Sequence, residues 1–222
     1  MTEVGWSDVR PRIATLGGLA GAGEVFGAAS HGWKLEPPLA AEEVAEVESQ
    51  LGVRLPAEYR SFLSEVSAGG AGPAYGLFPL CRVNDGWKWQ GDGATLNDRE
   101  ALTRPFGHIR AFNPADDLPP RPDGGRDEDD WWEQHDELLY DPAHSAGLLY
   151  LCHLGCALRE VLVVNGPSYG QMWADDTADE EGFRPLQNPD GSRMTFADWY
   201  RAWLGESEQV TAGPEKACFD TR

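Results

Sequence analysis

The chain has 222 residues, enough for one domain with a substantial core, and its apolar fraction of 41% is ordinary for a globular protein. Acidic residues outnumber basic residues 37 to 18, which gives a net charge of −19. A field of this sign repels nucleic acid and anionic lipid. We therefore expect neither nucleic acid nor a membrane as a partner, and a basic protein fits this charge better.

Four cysteines in a chain of this length do not make a disulfide scaffold. The first residues lack a basic stretch followed by an apolar run, and no segment approaches membrane-spanning length. These features lead us to expect a reduced, cytoplasmic protein.

Three helices are predicted in the first third of the chain. Apolar residues from Trp6 to Leu16 recur at helical spacing, ahead of a glycine-rich breaker. Further helices are expected at 41–51, with Gly52 just past its end, and at 56–67, with Pro56 at its first position. Their buried faces should contain Val44, Val47, Leu51, Tyr59, Phe62 and Leu63.

After a glycine-rich loop the pattern becomes that of strands separated by turns. The predicted strands lie in "YGLFPLCRV", "GLLYLCHLGC", "EVLVV" and "QMWADD". A last helix is predicted at 195–204, with Thr195 as its N-cap and Asp198 completing a capping-box-like start. Its buried face should contain Phe196, Trp199, Tyr200, Trp203 and Leu204.

Residues 113–137 differ in composition from the rest of the chain. They hold ten acids against two arginines, and four prolines. Such a segment has little apolar surface to bury. We predict an exposed, mobile insertion here.

The glycine-rich stretch "SAGGAGPAYGLFPL" invites comparison with a phosphate-binding loop. Gly70, Gly72 and Gly76 do not have G-x-G-x-x-G spacing, and no Gly-Lys-Ser/Thr follows them. The stretch also leaves a helix, whereas phosphate loops lead into one. The sequence therefore predicts a structural turn, and no nucleotide or other cofactor is expected.

"GPSYG" matches the G-x-S-x-G nucleophile elbow, with Ser168 as the nucleophile. The elbow requires a strand-to-helix turn, followed in the chain by an acid and a histidine. Here a predicted strand follows, and the last histidine, His153, precedes the serine. Ordinary turn chemistry is the favoured role, and a serine hydrolase is retained only as the least favoured alternative.

"CHLGC" places Cys152, His153 and Cys156 close together. A zinc site needs a second pair of ligands, and the other cysteines and histidines show no such pairing. Buried thiols beside a strand end are the favoured interpretation, so no metal is expected.

Motifs in three parts of the chain, between about His31 and Leu204, resemble the SUKH superfamily of the Smi/Knr cell-wall-assembly-regulator type. They are "PPL" before an acidic helix, the run "LGVRLPAEYRSFL", and the closing "NGPSYGQMW" and "TFADWYRAWL". The motif positions are Pro38, Leu39, Gly52, Leu55, Pro56, Tyr59, Phe62, Leu63, Gly166, Trp173, Phe196, Trp199, Tyr200 and Trp203.

The resemblance implies a single α+β domain, with a mainly antiparallel sheet packed against several helices. It also implies a protein-binding role without catalytic residues, most often as an immunity protein that neutralises a bacterial toxin, such as a nuclease. An intracellular scaffold or regulatory module is the alternative. On this basis we divide the chain into an N-terminal helix and linker (1–30), a SUKH-like domain (31–204) and a polar tail (205–222).

The partner is expected to dock on acidic and aromatic groups outside the core. An aromatic pair within an acidic run provides both a desolvated contact and electrostatic steering. The predicted docking residues are Glu128, Asp129, Asp130, Trp131 and Trp132, with Asp175 and Asp176 after the last predicted strand.

Overall fold

A computed structural model describes residues 5–213 of the chain. These residues form an α+β fold of helices and two antiparallel sheets, which confirms the predicted fold class. The helices are α1 (Val9–Gly17), α2 (Ala28–His31), α3 (Ala41–Leu51), α4 (Ala57–Glu65), α5 (Arg99–Thr103), α6 (Arg126–Leu139) and α7 (Phe196–Ala212). The strands are β1 (Leu80–Val83), β2 (Gly86–Trp89), β3 (Leu148–Gly155), β4 (Leu158–Val163), β5 (Met172–Asp175) and β6 (Phe183–Pro185).

The larger sheet has the strand order β3-β4-β5-β6, and every neighbouring pair is antiparallel. Tyr150, Val161, Trp173 and Pro185 lie in one line across it. The first half of β3, the second half of β4 and all of β5 are buried on both faces. This double burial explains why the sequence shows continuous apolar runs here instead of alternation.

Loop backbone covers both edges of this sheet. Beside β3, the backbone N–H of Phe78 donates to the carbonyl oxygen of Leu151 at 2.7 Å. Beside β6, Phe112 and Phe183 exchange two backbone hydrogen bonds of 2.8 and 2.9 Å. Covered edges cannot pair with other chains. The second pairing also fixes the start of the acidic segment to the sheet.

The glycine-rich loop joins α4 to β1 and is built into the core. The backbone of Gly70 pairs with Leu77 through hydrogen bonds of 3.0 and 2.8 Å. Gly70 has a φ of 99°, and a Cβ there would overlap the carbonyl oxygen of Lys34. Only glycine fits such a position without strain. The Tyr200 hydroxyl donates to the carbonyl oxygen of Ala71 at 2.7 Å, which ties the loop to α7.

An aromatic cluster joins α4, α7 and the segment that leads into α1. The ring centroid of Phe62 lies 5.3 Å from that of Trp6, 5.1 Å from Phe196 and 4.7 Å from Tyr200. The Trp6 indole N–H donates to the Ser61 hydroxyl at 2.9 Å, so its polar edge is satisfied. All residues predicted to lie on buried helix faces are buried, as predicted: Val44, Val47, Leu51, Tyr59, Phe62, Leu63, Phe196, Trp199, Tyr200, Trp203 and Leu204.

Local signals set the helix ends. The helix predicted at 41–51 is confirmed, and Gly52 ends it in the left-handed region with a φ of 74°. Thr195 caps α7, and Asp198 completes the capping box, also as predicted. The helix predicted at 56–67 is shorter at both ends, because Pro56 is its N-cap and the helix ends at Glu65, with Val66 as its C-cap. No helix in the described part of the chain is long and apolar enough to cross a membrane.

The closing helix is longer than predicted. It was expected to end at residue 204, but α7 runs to Ala212, so the first residues of the predicted polar tail are helical. Ser207 in this extension is only 1% exposed, and Glu208 accepts a hydrogen bond of 2.6 Å from Arg12 on α1. The polar composition of residues 205–212 gave no sign of a helix, although one face of it is buried at the small residue Ser207. The rest of the predicted tail, residues 214–222, lies outside the described residues.

Ending the chain after Leu204 is expected to lower the melting temperature by about 5 °C or more. The truncation removes two turns of α7, the contact of Glu208 with Arg12 and the buried Ser207. Thermal unfolding followed by circular dichroism measures the change. The matched control ends at Gly213 and keeps all of α7. Equal melting temperatures for the two truncated chains would contradict this role for the extension.

Candidate protein-binding surface

The acidic segment 113–137 contains a helix, so the prediction of a mobile insertion is wrong for its second half. Helix α6 begins with acidic residues in its first turn, where they stabilise the positive end of the helix dipole. Trp131, His135 and Leu139 follow at four-residue spacing, and all three are buried. The acidic composition concealed this apolar stripe, which provides the packing that holds the helix.

Trp131 anchors α6 to the segment that precedes it. Its indole N–H donates to the carbonyl oxygen of Pro119 at 2.7 Å, and its ring stacks on His135 with centroids 5.2 Å apart. The segment that precedes α6 pairs with β6 at Phe112, so α6 is anchored to a segment that is itself fixed to the sheet. Trp131 is 8% exposed. Its prediction as a docking residue is therefore corrected to a structural role.

The outer face of α6 is strongly acidic. Its side chains point away from the aromatic stripe and extend along the whole helix, whereas the helix itself contributes one basic residue, Arg126. Closely spaced carboxylates of one sign create a local field that attracts a basic partner. The exposed acids of α6 are Asp127, Asp129, Asp130, Glu133, Asp136 and Glu137.

Trp132 lies at the border between the buried and the acidic faces. It is half-buried, and its ring meets that of Trp131 edge to face at 5.0 Å. The guanidinium of Arg121 lies 5.4 Å from the Trp132 ring centroid and 3.6 Å from the Glu128 carboxylate. The structure thus brings four of the predicted docking residues together. We call Glu128, Asp129, Asp130 and Trp132 the acidic helix surface.

The two acids at the end of β5 have structural roles. Asp175 is 3% exposed and accepts hydrogen bonds from the Tyr150 hydroxyl at 2.9 Å and the Thr177 hydroxyl at 2.6 Å. Burial, together with this carboxylate, raises the pKa of Tyr150 well above its usual value. Asp176 is partly buried and paired with Arg184 at 2.6 Å. Asp175 is therefore removed from the predicted docking set, and Asp176 already has a cation.

The residues that carry the family resemblance are mostly packing and turn positions. Gly166 has a φ of 109°, and a Cβ there would overlap the carbonyl oxygen of Phe106. Gly52 ends α3, and Pro38 is exposed. These motif positions thus build the fold and do not form a reactive site. The buried motif residues are Leu39, Leu55, Pro56, Tyr59, Phe62, Leu63, Trp173, Phe196, Trp199, Tyr200 and Trp203.

Ser168 is fully buried in the turn between β4 and β5. Its hydroxyl donates to the backbone carbonyl oxygen of His108 at 2.8 Å. A nucleophile elbow places its serine at a strand-to-helix turn, exposed to substrate, which differs from this arrangement. The hydrolase alternative gains no support from this geometry.

The cysteine–histidine motif does not converge on a common point. Cys152 is buried, and its thiol lies 3.7 Å from a Glu160 carboxylate oxygen. Burial raises the pKa of the Cys152 thiol, which makes it a poor nucleophile. His153 instead stacks on Tyr75 at 4.7 Å, and Cys156 is exposed. Within residues 5–213, no three histidine, cysteine or acidic side chains are grouped to hold a metal ion.

A cleft of about 660 Å³ lies beside α7, and sequence reasoning missed it. Its walls come from α7, the β3 and β6 regions and the segment around Phe26, which are far apart in the chain. No local motif marks such a cleft. The available signal is on α7, where Trp199 and Trp203 form a second aromatic row beside that of Phe196 and Tyr200.

An α+β domain of this kind, with an acidic helix anchored to a segment that pairs with β6, is a candidate for binding another protein. A family model described as the SMI1 / KNR4 family (SUKH-1) matches residues 38–156, more than half of the chain. The chain belongs to this family, which confirms the resemblance drawn from its motifs. At the family level it is a domain of the protein-interaction and immunity type. Searches of curated proteins and of solved structures gave no match.

Proposed function

We propose that this protein is a non-catalytic, cytoplasmic immunity protein, which neutralises a toxin by binding a basic surface on it. The acidic helix surface carries the proposal, because it combines carboxylates with an accessible indole on an anchored helix. Family membership supports a protein as the partner. The net charge of −19 supports a basic one.

The physical basis is electrostatic complementarity. Toxins that cleave nucleic acids hold phosphates with lysine and arginine side chains. An acidic surface that covers those side chains blocks substrate and steers encounter, with association rates that reach about 10⁸ M⁻¹s⁻¹ at low salt. Trp132 at the edge of the carboxylates supplies apolar area that slows dissociation once the complex has formed.

The proposal is tested by searching the open reading frames that neighbour this gene for a toxin domain and purifying the domain found. Changing Asp129 and Asp130 to Asn is expected to slow association about tenfold and to flatten its dependence on salt. Changing Trp132 to Ala is expected mainly to speed dissociation, because it removes contact area and little charge. Surface plasmon resonance at several salt concentrations separates the two effects.

The matched control neutralises two exposed acids outside α6, Asp85 in the β1–β2 turn and Asp92 after β2. This variant has the same net charge as the Asp129/Asp130 variant, and its association rate should remain close to that of the unchanged protein. Equal slowing in both variants, or in neither, would contradict docking on α6. Tight binding that leaves toxin activity intact would instead assign the protein to the scaffold class.

A further inference from the structure

The cleft beside α7 leaves large apolar side chains uncovered. Phe26 is 61% exposed, and Val210 is also exposed. The ring centroid of Phe26 lies 5.3 Å from that of Tyr75. Exposed apolar side chains that converge on one concave site mark a binding site more often than scattered ones do. The apolar wall is formed by Phe26, Leu154, Leu186, Met194, Trp203 and Val210.

Glu160 from β4 provides a carboxylate within this apolar wall. One of its oxygens, Oε2, accepts from the Trp199 indole N–H at 3.1 Å and lies 3.7 Å from the Cys152 thiol. In residues 5–213, neither of its oxygens forms an ion pair, and Oε1 accepts no hydrogen bond. Burial raises the pKa of Glu160, as expected for a carboxyl held without a cation.

The other charged groups of the cleft leave it negative. Glu206 on α7 adds a second carboxylate, whereas Arg184 is bound to Asp176 at 2.6 Å. A carboxylate in an apolar surrounding is costly unless a cation reaches it. The cleft therefore favours a positively charged group attached to an apolar stem.

Ser207 and Trp203 add unused hydrogen-bonding groups to the same wall. They lie one turn apart on α7, both line the cleft, and both are buried. Within the described residues, the Ser207 hydroxyl and the Trp203 indole N–H have no hydrogen-bond partner. Buried polar groups are nearly always paired, so a bound molecule can complete these two once it parts the side chains that shield both atoms from solvent.

We infer that the cleft receives an arginine side chain from the partner protein. Its guanidinium pairs with Glu160 and donates to the Ser207 hydroxyl, and its methylene stem lies along the apolar wall. Arginine suits this site better than lysine, because its planar group stacks on indole rings and donates in several directions at once. A backbone carbonyl oxygen of the partner protein accepts a hydrogen bond from the Trp203 indole N–H. The inference rests on the proposed function only in taking a protein as the partner.

The test uses short capped peptides, so it does not depend on any toxin. Acetyl-Gly-Arg-Gly-amide is titrated into the ¹⁵N-labelled protein, and a peptide with citrulline in place of arginine is the uncharged control. The arginine peptide should bind at millimolar concentration or better and shift the indole signals of Trp199 and Trp203. Glu160→Gln, which keeps an acceptor for Trp199, should weaken binding about tenfold. Ser207→Ala, a smaller change, should weaken it about threefold.

Two results would overturn the inference. One is equal affinity of the arginine and citrulline peptides. The other is an arginine peptide that shifts the Trp132 indole signal and loses affinity in the Asp129/Asp130 variant, since this would place the cation on α6. If the toxin experiment showed no docking on α6, the peptide result at the cleft would be unaffected. Failure of the proposed function and failure of this inference are therefore distinguishable.

Discussion

Replacing Phe62 by alanine is expected to lower the free energy of unfolding by about 3–5 kcal/mol. Phe62 on α4 is buried against α7 and the segment that leads into α1, and its ring contacts those of Trp6, Phe196 and Tyr200. The substitution loses both the transfer free energy of the ring and the packing around it, because these three elements cannot all move into the cavity. Unfolding by urea at constant temperature measures the difference.

Phe26→Ala is the matched control for this experiment. It removes the same side chain from an exposed position and is expected to cost about 0.5 kcal/mol or less. Phe62→Leu, which keeps most of the volume, should fall between the two. A loss below about 1 kcal/mol for Phe62→Ala would contradict the aromatic junction as the centre of the core.

The helices whose positions were predicted well are determined by signals within their own sequence. Helix α3 has an apolar stripe, acids in its first turn and Gly52 at its end, all within twelve residues. The start of α7 is similarly encoded by Thr195 and Asp198. Its end at Ala212 was missed because small and polar residues cover the last turns, and their burial depends on α1 across the fold.

The errors at the candidate site have the same non-local origin. Asp175 looks like a solvated acid in sequence, yet Tyr150 from β3, two strands away in the sheet, reaches its carboxylate. Composition suggested disorder for the segment that contains α6, although Trp131, His135 and Leu139 give it a packing face. The cleft was invisible to motif reasoning, because its walls meet only in the folded chain. The acidic helix surface itself was predicted from the sequence as a set of residues, without the helix that presents them.

The two proposed contacts differ in what they contribute to binding. The acidic helix surface has exposed carboxylates, so its main effect is on the rate of encounter and is sensitive to salt. The cleft has one partly buried carboxylate among apolar side chains, so its main effect is on dissociation and on the choice of partner. A basic partner that lacks a suitably placed arginine would meet the first surface and fail at the second.

Lowering the pH from about 6.5 to 4 is expected to destabilise the protein by about 3 kcal/mol through His31 alone. His31 is buried between the rings of Trp33 and Trp203, at centroid distances of 5.3 and 5.9 Å. Its Nδ1 accepts from the Trp33 backbone N–H at 3.0 Å, and its Nε2 is buried without a partner in the described residues. Burial disfavours the charged ring and lowers the pKa of His31 from 6.5 to about 4.

The sign follows from where the proton binds. In the unfolded chain His31 takes up a proton near pH 6.5, whereas the folded protein resists it until about pH 4. The unfolded state therefore binds more protons across this interval, so stability is complete above pH 6.5 and falls as the pH decreases. His108, whose pKa is also lowered by burial and by His144, contributes in the same direction.

The decisive measurement compares the pH dependence of urea unfolding in the unchanged protein and in His31→Phe. Phenylalanine keeps an aromatic ring but cannot titrate, so the stability curve of the variant should be flatter between pH 6.5 and 4, whatever its absolute stability. Burial raises the pKa values of Glu160 and Asp176, and these groups act in the opposite direction in both proteins. Asp8, whose pKa its partners Arg201 and Arg12 lower to about 2, begins to lose its contribution near pH 5 and loses most of it below pH 4, equally in both proteins. Parallel curves for the two proteins would show that His31 takes up its proton at the same pH in the folded and unfolded states, and would contradict a buried imidazole that resists protonation.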